Sequence, residues 1–319
     1  ARPASAPPGG YPPPPPSPSR TAEGAGSSQP GGPLSCLFYN INGTSPGRVA
    51  GTPDWEELFR SVDVIALQET RCVEFNPLGD LLAGSHVCYS VPAPLAERGK
   101  TGYGLAMYVR AGLAPFVRHV SHSSGAVQTV ILQAAGYRVL LTNVYFKPPL
   151  DVDVVVSVLL SHLQCLQLAP ADVLVVGGDF NAPLPPEDDR PLGPDGHCPL
   201  PVPARDMSLA GTGDRAEAVL ALCHTWRLVA LTGRHEDVPV STSSERGQTR
   251  KDHILVSSDH YQCVMSHSVL DVLGSDHRPL LVSLDVQCHQ PLSCGVHACL
   301  TSLPPRLVWR LDPALRDEY

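Results

Sequence analysis

Short apolar runs, broken by polar and glycine-containing stretches, recur from residue 34 to about residue 286. Leu34–Tyr39 (LSCLFY) reads as a first strand that stops at Asn-Ile-Asn-Gly, with Gly43 supplying backbone freedom for a turn. Thr52–Arg60 (TPDWEELFR) has a capping threonine, a first-turn proline and early acids, which together predict a helix start. Val62–Gln68 is a buried-strand run halted by Glu69, and Gly104–Val109, Val127–Leu132 and Tyr137–Tyr145 are further strands. Asp151–Leu168 is two-sided: its valines favour a strand, while its length and the spacing of Val155, Leu159, Leu163 and Leu166 favour a helix, which is the prediction.

The pattern continues with a strand at Ala171–Gly177 that ends in Gly178-Asp-Phe-Asn181, and an acidic, proline-rich loop over Pro183–Pro203. A helix over Arg215–Trp226 and a short strand at Leu228–Leu231 follow, and strands at His253–Ser257, His267–Val272 and Leu280–Leu284 complete the set. Many strands, few helices and short loops predict an α/β architecture of two sheets packed face to face with helices outside.

The two ends differ from this core. Residues 1–33 are rich in proline and glycine with almost nothing apolar to bury, so a disordered or locally polyproline II tail is predicted. Residues 287–319 read as an irregular linker leaving a domain that spans 34–286. Ala1 stands first, and the methionines are Met107, Met207 and Met265, which points to a piece of a longer product. There is no charged-then-apolar leader and no run of about 18 apolar residues, so no membrane segment is predicted. Ten scattered cysteines fit reduced thiols better than a disulfide framework. The net charge of −8 argues against a broad basic face for nucleic acid, unless carboxylates gather round a metal.

Candidate chemistry lies where the strands stop. Asn40, Asn42, Glu69, Tyr145, Asp179, Asn181, Asp252, Asp276 and His277 all follow or begin apolar runs. In a layered α/β fold such ends converge on one cleft. Carboxylates and carboxamides with one histidine suit a hard cation such as Mg²⁺. Each residue also has a plainer reading, as a turn, a cap, a surface charge or a satisfied core histidine. Their number and order weigh against nine coincidences.

The ordered strings Tyr39–Gly43 (YNING), Leu67–Arg71 (LQETR), Asn143–Tyr145 (NVY), Gly177–Asn181 (GGDFN), Asp252–Ser257 (DHILVS) and Ser275–Pro279 (SDHRP) resemble the endonuclease/exonuclease/phosphatase superfamily. Within it the chain is most similar to the apurinic-type endonuclease domain of non-LTR (LINE-like) retrotransposons. Arg215–Arg234 resembles that group's leucine-cysteine helix, short strand and Gly-Arg, and Leu307–Asp312 resembles the linker before its reverse transcriptase. Tyr39, Arg71 and His253 replace the family's more usual Trp, Lys and Tyr, and Phe146-Lys147 displaces a proline. No core catalytic group is lost.

The resemblance implies a DNase I-like four-layer sandwich and Mg²⁺-dependent nicking of duplex DNA (Mn²⁺ substituting) to leave a 3′-hydroxyl and a 5′-phosphate. By the same resemblance Glu69, Asn40, Asn42 and Asp276 lie on the metal side. Asp179 orients or deprotonates the attacking water, and Asn181, His277 and Tyr145 meet the scissile phosphate. Asp252 holds His277, and Arg71 contacts substrate. A linked reverse transcriptase and a nuclear location, with the cytoplasm as alternative, belong to the same expectation. Three rival readings stand beside it. One is a phosphatase of the same fold acting on lipid or inositol phosphates. Another is a non-enzymatic relic whose Pro12–Pro16 segment binds SH3- or WW-type partners. The third is a zinc site among Cys288, His289, Cys294, His297 and Cys299, whose spacing fits no standard arrangement.

Overall fold

The structure is a computed structural model describing residues 32–43, 53–72, 78–93, 103–123, 125–134, 137–147, 152–191, 198, 200, 202–206, 210–234, 242, 250–271 and 275–286. The expectations for the proline-rich tail, the C-terminal linker and the late Cys/His cluster lie outside the described residues. In chain order the strands are β1 (Leu34–Asn40), β2 (Val64–Gln68), β3 (His86–Val91), β4 (Leu105–Arg110), β5 (Val117–Ser123), β6 (Val127–Ala134), β7 (Tyr137–Tyr145), β8 (Val173–Asp179), β9 (Leu228–Ala230), β10 (Asp252–Ser257), β11 (Val264–Val269) and β12 (Leu280–Leu284). The helices are α1 (Pro53–Ser61), α2 (Val152–Cys165) and α3 (Asp214–Trp226).

The strands form two six-stranded sheets, ordered β11-β12-β1-β2-β4-β3 and β5-β6-β7-β8-β10-β9. Each sheet has one parallel pair at its centre, β1 with β2 and β7 with β8, flanked by antiparallel neighbours. The central strands are buried on both faces, which explains their unbroken apolar sequences. Along β2, Val64 and Ala66 face the inter-sheet core while Ile65 and Leu67 face a separate outer cluster. Along β8, Val173 and Val175 point inward while Leu174 and Val176 point outward.

The outer clusters are closed by helices. Trp55 and Phe59, four apart on α1, pack on the outside of the first sheet. Leu159 and Leu163 of α2, with Val219, Leu222 and Cys223 of α3, cover the second. The helical reading of the valine-rich segment therefore holds, and so does the α/β four-layer arrangement. The seven described cysteines, Cys36, Cys72, Cys88, Cys165, Cys198, Cys223 and Cys263, are free thiols. No helix among the described residues is long and apolar enough to cross a membrane.

Two strands escape the sequence pattern. β3 and β5 each lie at one edge of their sheet, and their polar positions reflect that solvated edge. The strand expected at His267–Val272 instead runs from Val264 to Val269, where a bulge between Val264 and Ser266 shifts its register.

The sheets approach closely beneath the strand ends. Gly177 faces the Phe38 ring, and a Cβ there would lie 2.6 Å from it. Gly178 has φ +137°, and a Cβ on it would meet the Val144 carbonyl at 2.1 Å. Next to Gly177, the buried Gln68 carboxamide donates to the Asn143 Oδ1 (2.6 Å), and Asn143 donates to the Leu67 carbonyl (2.9 Å). These bonds tie the two central parallel pairs together. Farther out, buried Asp189 accepts from Arg234 at 2.6 Å and from the Ala230 amide at 2.7 Å, with Arg205 3.8 Å away. Arg205 and Arg234 donate in turn to the Pro185 and Pro203 carbonyls, pinning the proline-rich loop to β9. The Gly-Arg segment thus serves the scaffold.

Gly177→Ala should cost about 1–3 kcal/mol by overpacking against Phe38, with part returned by adding Phe38→Leu, both read from urea unfolding. Asp189→Ala leaves two buried guanidinium groups without their carboxylate, and the same measurement should register a loss of about 3–5 kcal/mol.

Candidate active site

In a parallel pair both strands finish at the same edge. β1 and β2 in one sheet and β7 and β8 in the other finish side by side, delivering Asn40, Glu69, Tyr145 and Asp179. The antiparallel neighbours begin at this edge. Asp252 opens β10 directly opposite Asp179, and Ser275–His277 precede β12, which pairs with β1. Topology alone therefore brings six segments to one place.

At the floor, Asn40, Asp179, Asp252 and His277 are buried. The Asn40 carboxamide donates one hydrogen to Glu69 (3.0 Å) and the other to Asp179 (2.9 Å), and its oxygen accepts the Asn42 amide (2.9 Å). Asp179 also accepts the Asn181 amide (2.8 Å) and side chain (2.9 Å). His277 holds both Asp252 oxygens through Nδ1, at 2.9 and 3.0 Å, leaving Nε2 3.9 Å from Asp179. Toward the rim, Glu69 accepts Tyr145 O–H (2.7 Å) and Arg71 (2.6 Å). Arg71 also donates to Asn42, and Asn42 to Asp276 (2.9 Å). All ten residues singled out from the sequence thus belong to one connected network. Arg71 is engaged with Glu69 and Asn42 rather than standing free.

The electrostatics follow from this packing. Burial opposes the Glu69 charge, but donors from Asn40, Arg71 and Tyr145 outweigh it and lower its pKa. Asp276 is lowered likewise, by Asn42 and His277 against its burial. Asp179 is raised, first by burial and then by the neighbouring Asp252, with His277 pulling the other way. His277 loses hydration, yet Asp252, Asp179 and Asp276 outweigh that loss and raise it to about 9. Burial and the Glu69 charge raise Tyr145, which stays a neutral donor. His253 differs: it is buried, its Nε2 meets the Ala182 carbonyl (2.8 Å), and burial lowers it to about 4, so it is a neutral core residue.

Backbone strain concentrates here. Asn42, Glu69, Arg71, Tyr103 and Asn181 all have φ between +44° and +64°. For Glu, Arg and Tyr this costs roughly 1–3 kcal/mol each and persists only where the surroundings enforce it.

Four participants have weak sequence signals. Ser275 Oγ donates to the Asn40 carbonyl (2.9 Å) and receives the His277 amide (3.2 Å), a hydroxyl-turn role that the Ser-Asp-His string hints at. Thr242 Oγ1 accepts the Lys251 and Asp252 amides at 3.0 and 3.1 Å, fixing the start of β10 from a loop without any pattern. Tyr103 and Lys147 lie beside Tyr145, outside any motif.

The oxygen-rich set of Glu69, Asn40, Asn42 and Asp276 has the donor chemistry a hard divalent cation requires. A second group could also hold a cation: ligand atoms of Asp179, Asp252 and His277 lie within 4.8 Å of one another.

Residues 37–277 match the Endonuclease/Exonuclease/phosphatase family, an interval that contains every residue of the network. Among solved structures the chain is similar to the endonuclease domain of TRAS1, a telomere-specific non-LTR retrotransposon (17% identity, TM-score 0.51, 80% of this chain and 99% of that one). It is also similar to the AP endonuclease LMAP from Leishmania major (15%, 0.56, 80% and 89%) and to an AP endonuclease from Archaeoglobus fulgidus (17%, 0.55, 79% and 100%). At these identities the likeness is one of fold, and the fold is the expected DNase I-like sandwich. No curated protein matches the sequence.

Because the protonated form of His277 is favoured in the fold, its stabilising contribution is complete below about pH 6.5 and disappears as pH rises through about 9. Without metal, the stability gap between the parent and Asp252→Asn should therefore be widest near pH 6 and narrow toward pH 9.5. Thermal unfolding across that range, with the imidazole followed by NMR, checks the direction.

Proposed function

Since the chain belongs to the endonuclease/exonuclease/phosphatase family, we propose that it is a divalent-metal-dependent endonuclease that nicks duplex DNA, of the type carried by non-LTR retrotransposons. The observation that carries this reading is the Asp252–His277 pair set against a buried Asp179, with Asn181, Tyr145 and Glu69 at the same edge. The solved neighbours above are endonucleases, which supports DNA over a lipid or inositol phosphate as substrate.

A phosphodiester is anionic and resists an anionic nucleophile, so catalysis must hold water in line and neutralise growing charge. Asp179 takes the proton from the attacking water. Its raised pKa makes it a stronger base, and its bonds from Asn40 and Asn181 aim it. Asp252 accepts the Nδ1–H of His277 and stabilises its charged form, leaving Nε2–H on the side of Asp179, where the phosphate would lie. Charged His277 and Asn181 bind the non-bridging oxygens, and Tyr145 is a neutral hydroxyl, held by Glu69, that donates to the same phosphate. Glu69, with Asn40, Asn42 and Asp276, would hold Mg²⁺ or Mn²⁺, which would supply charge neutralisation at the phosphate. Cleavage of the P–O3′ bond leaves a 3′-hydroxyl and a 5′-phosphate. In a retrotransposon that hydroxyl would prime a linked reverse transcriptase, and the DNA substrate would place the protein in the nucleus.

Supercoiled plasmid should be nicked with Mg²⁺ and not with EDTA, while a soluble phosphomonoester is left intact. Asp179→Ala and His277→Ala should each lose about 10²–10⁴-fold in rate while staying folded. Glu69→Ala should raise the Mg²⁺ needed for half-maximal nicking. Nicking of intact plasmid, as against cleavage confined to duplexes with an abasic site, separates the retrotransposon type from an AP endonuclease.

A further inference from the structure

One cation next to the site has no carboxylate partner among the described residues. Lys147 follows Tyr145 by two residues, and its Nζ lies 3.9 Å from the centroid of the Tyr103 ring. Tyr103 in turn meets Tyr145 edge-on, with centroids 6.1 Å apart, so the ammonium is no more than about 10 Å from the Tyr145 ring. Tyr103 is held in place from several sides. Its carbonyl accepts the Arg71 amide (2.8 Å), and its ring packs against Val91, Leu105 and Tyr145. It keeps this position at φ +64°, a conformation unfavourable for tyrosine.

The charge balance makes this lysine stand out. The chain carries a net −8, and four of its acidic residues, Glu69, Asp179, Asp252 and Asp276, gather at the floor and rim of the site. Arg71 is spent on Glu69 and Asn42, and His277 on Asp252. Lys147 has only an aromatic face as partner among the described residues, which holds the ammonium in place without neutralising it. Phosphates on one DNA strand recur every 3.4 Å of helix axis, so a cation within about 10 Å of the Tyr145 ring is in reach of a phosphate neighbouring the one cleaved.

We propose that Lys147, seated on Tyr103, is a phosphate-binding subsite that grips the DNA backbone beside the scissile linkage. This rests on the nuclease reading above. Lys147 supplies the charge, and Tyr103 is a positioning residue that presents it.

The test uses duplex DNA binding by fluorescence anisotropy in EDTA, across a salt series, and nicking kinetics with Mg²⁺. Lys147→Gln should reduce the slope of log affinity against log salt by about 0.9 and raise KM roughly three- to tenfold, with the larger share of the loss in KM rather than kcat. Lys147→Arg should restore the slope. Tyr103→Asn tolerates the left-handed backbone but removes the ring, and it should weaken binding while leaving the slope closer to the parent; Tyr103→Phe should behave as parent. An unchanged slope and KM in a folded Lys147→Gln variant, beside a parent that nicks, would overturn the subsite alone. A parent that neither binds nor nicks DNA would overturn the nuclease reading and the subsite with it.

Discussion

The site depends on one uncharged group that gives away both its hydrogens. The Asn40 amide nitrogen bonds Glu69, which follows β2 of its own sheet, and Asp179, which ends β8 of the other. An aspartate there would add a carboxylate to a pocket that already has four. An apolar residue would leave two acceptors without donors. The carboxamide suits the position because it satisfies two anions while adding no charge. It can span the two sheets only because their spacing is set just below, by Phe38 over Gly177 and by Gln68 bonded to Asn143.

The remaining charges balance in two groups. Deep in the cleft, Asp252 holds His277 and Asp179 lies on its other side. Burial and the second carboxylate push Asp179 up, and both carboxylates push the imidazole up. Near the surface, Glu69 and Asp276 are held as full anions by Arg71, Tyr145 and Asn42. One cleft thus contains a carboxylate ready to take a proton and others that keep their charge. That division of labour arises from depth and from the donors each group meets, since Asp179, Glu69 and Asp276 are all ordinary acidic side chains.

Much of this was legible in the sequence because buried parallel strands have apolar residues on both faces and stop abruptly at polar ones. Val62–Gln68 and Tyr137–Tyr145 read as strands for that reason, and Glu69, Asp179 and Asp252 stood out at their ends. The edge strands β3 and β5 were hidden because an edge exposes part of its surface to water and takes polar residues. Ser275 and Thr242 were hidden because a hydroxyl that organises a loop looks, in sequence, like one that is solvated. Tyr103 and Lys147 meet only because the two sheets pack together, one residue preceding β4 of the first and the other following β7 of the second. Arg71 was visible as a motif residue, but its hold on Glu69 and Asn42 is a fact of three dimensions.

The left-handed residues bear on how the cleft border is framed. At Glu69, Arg71 and Tyr103 the backbone would be easier with glycine. Each instead has a large side chain turned to the cleft or its border, against its own conformational preference. The fold meets the cost of all three at one rim, where Glu69 is bonded to Arg71 through its side chain and the Arg71 amide donates to the Tyr103 carbonyl.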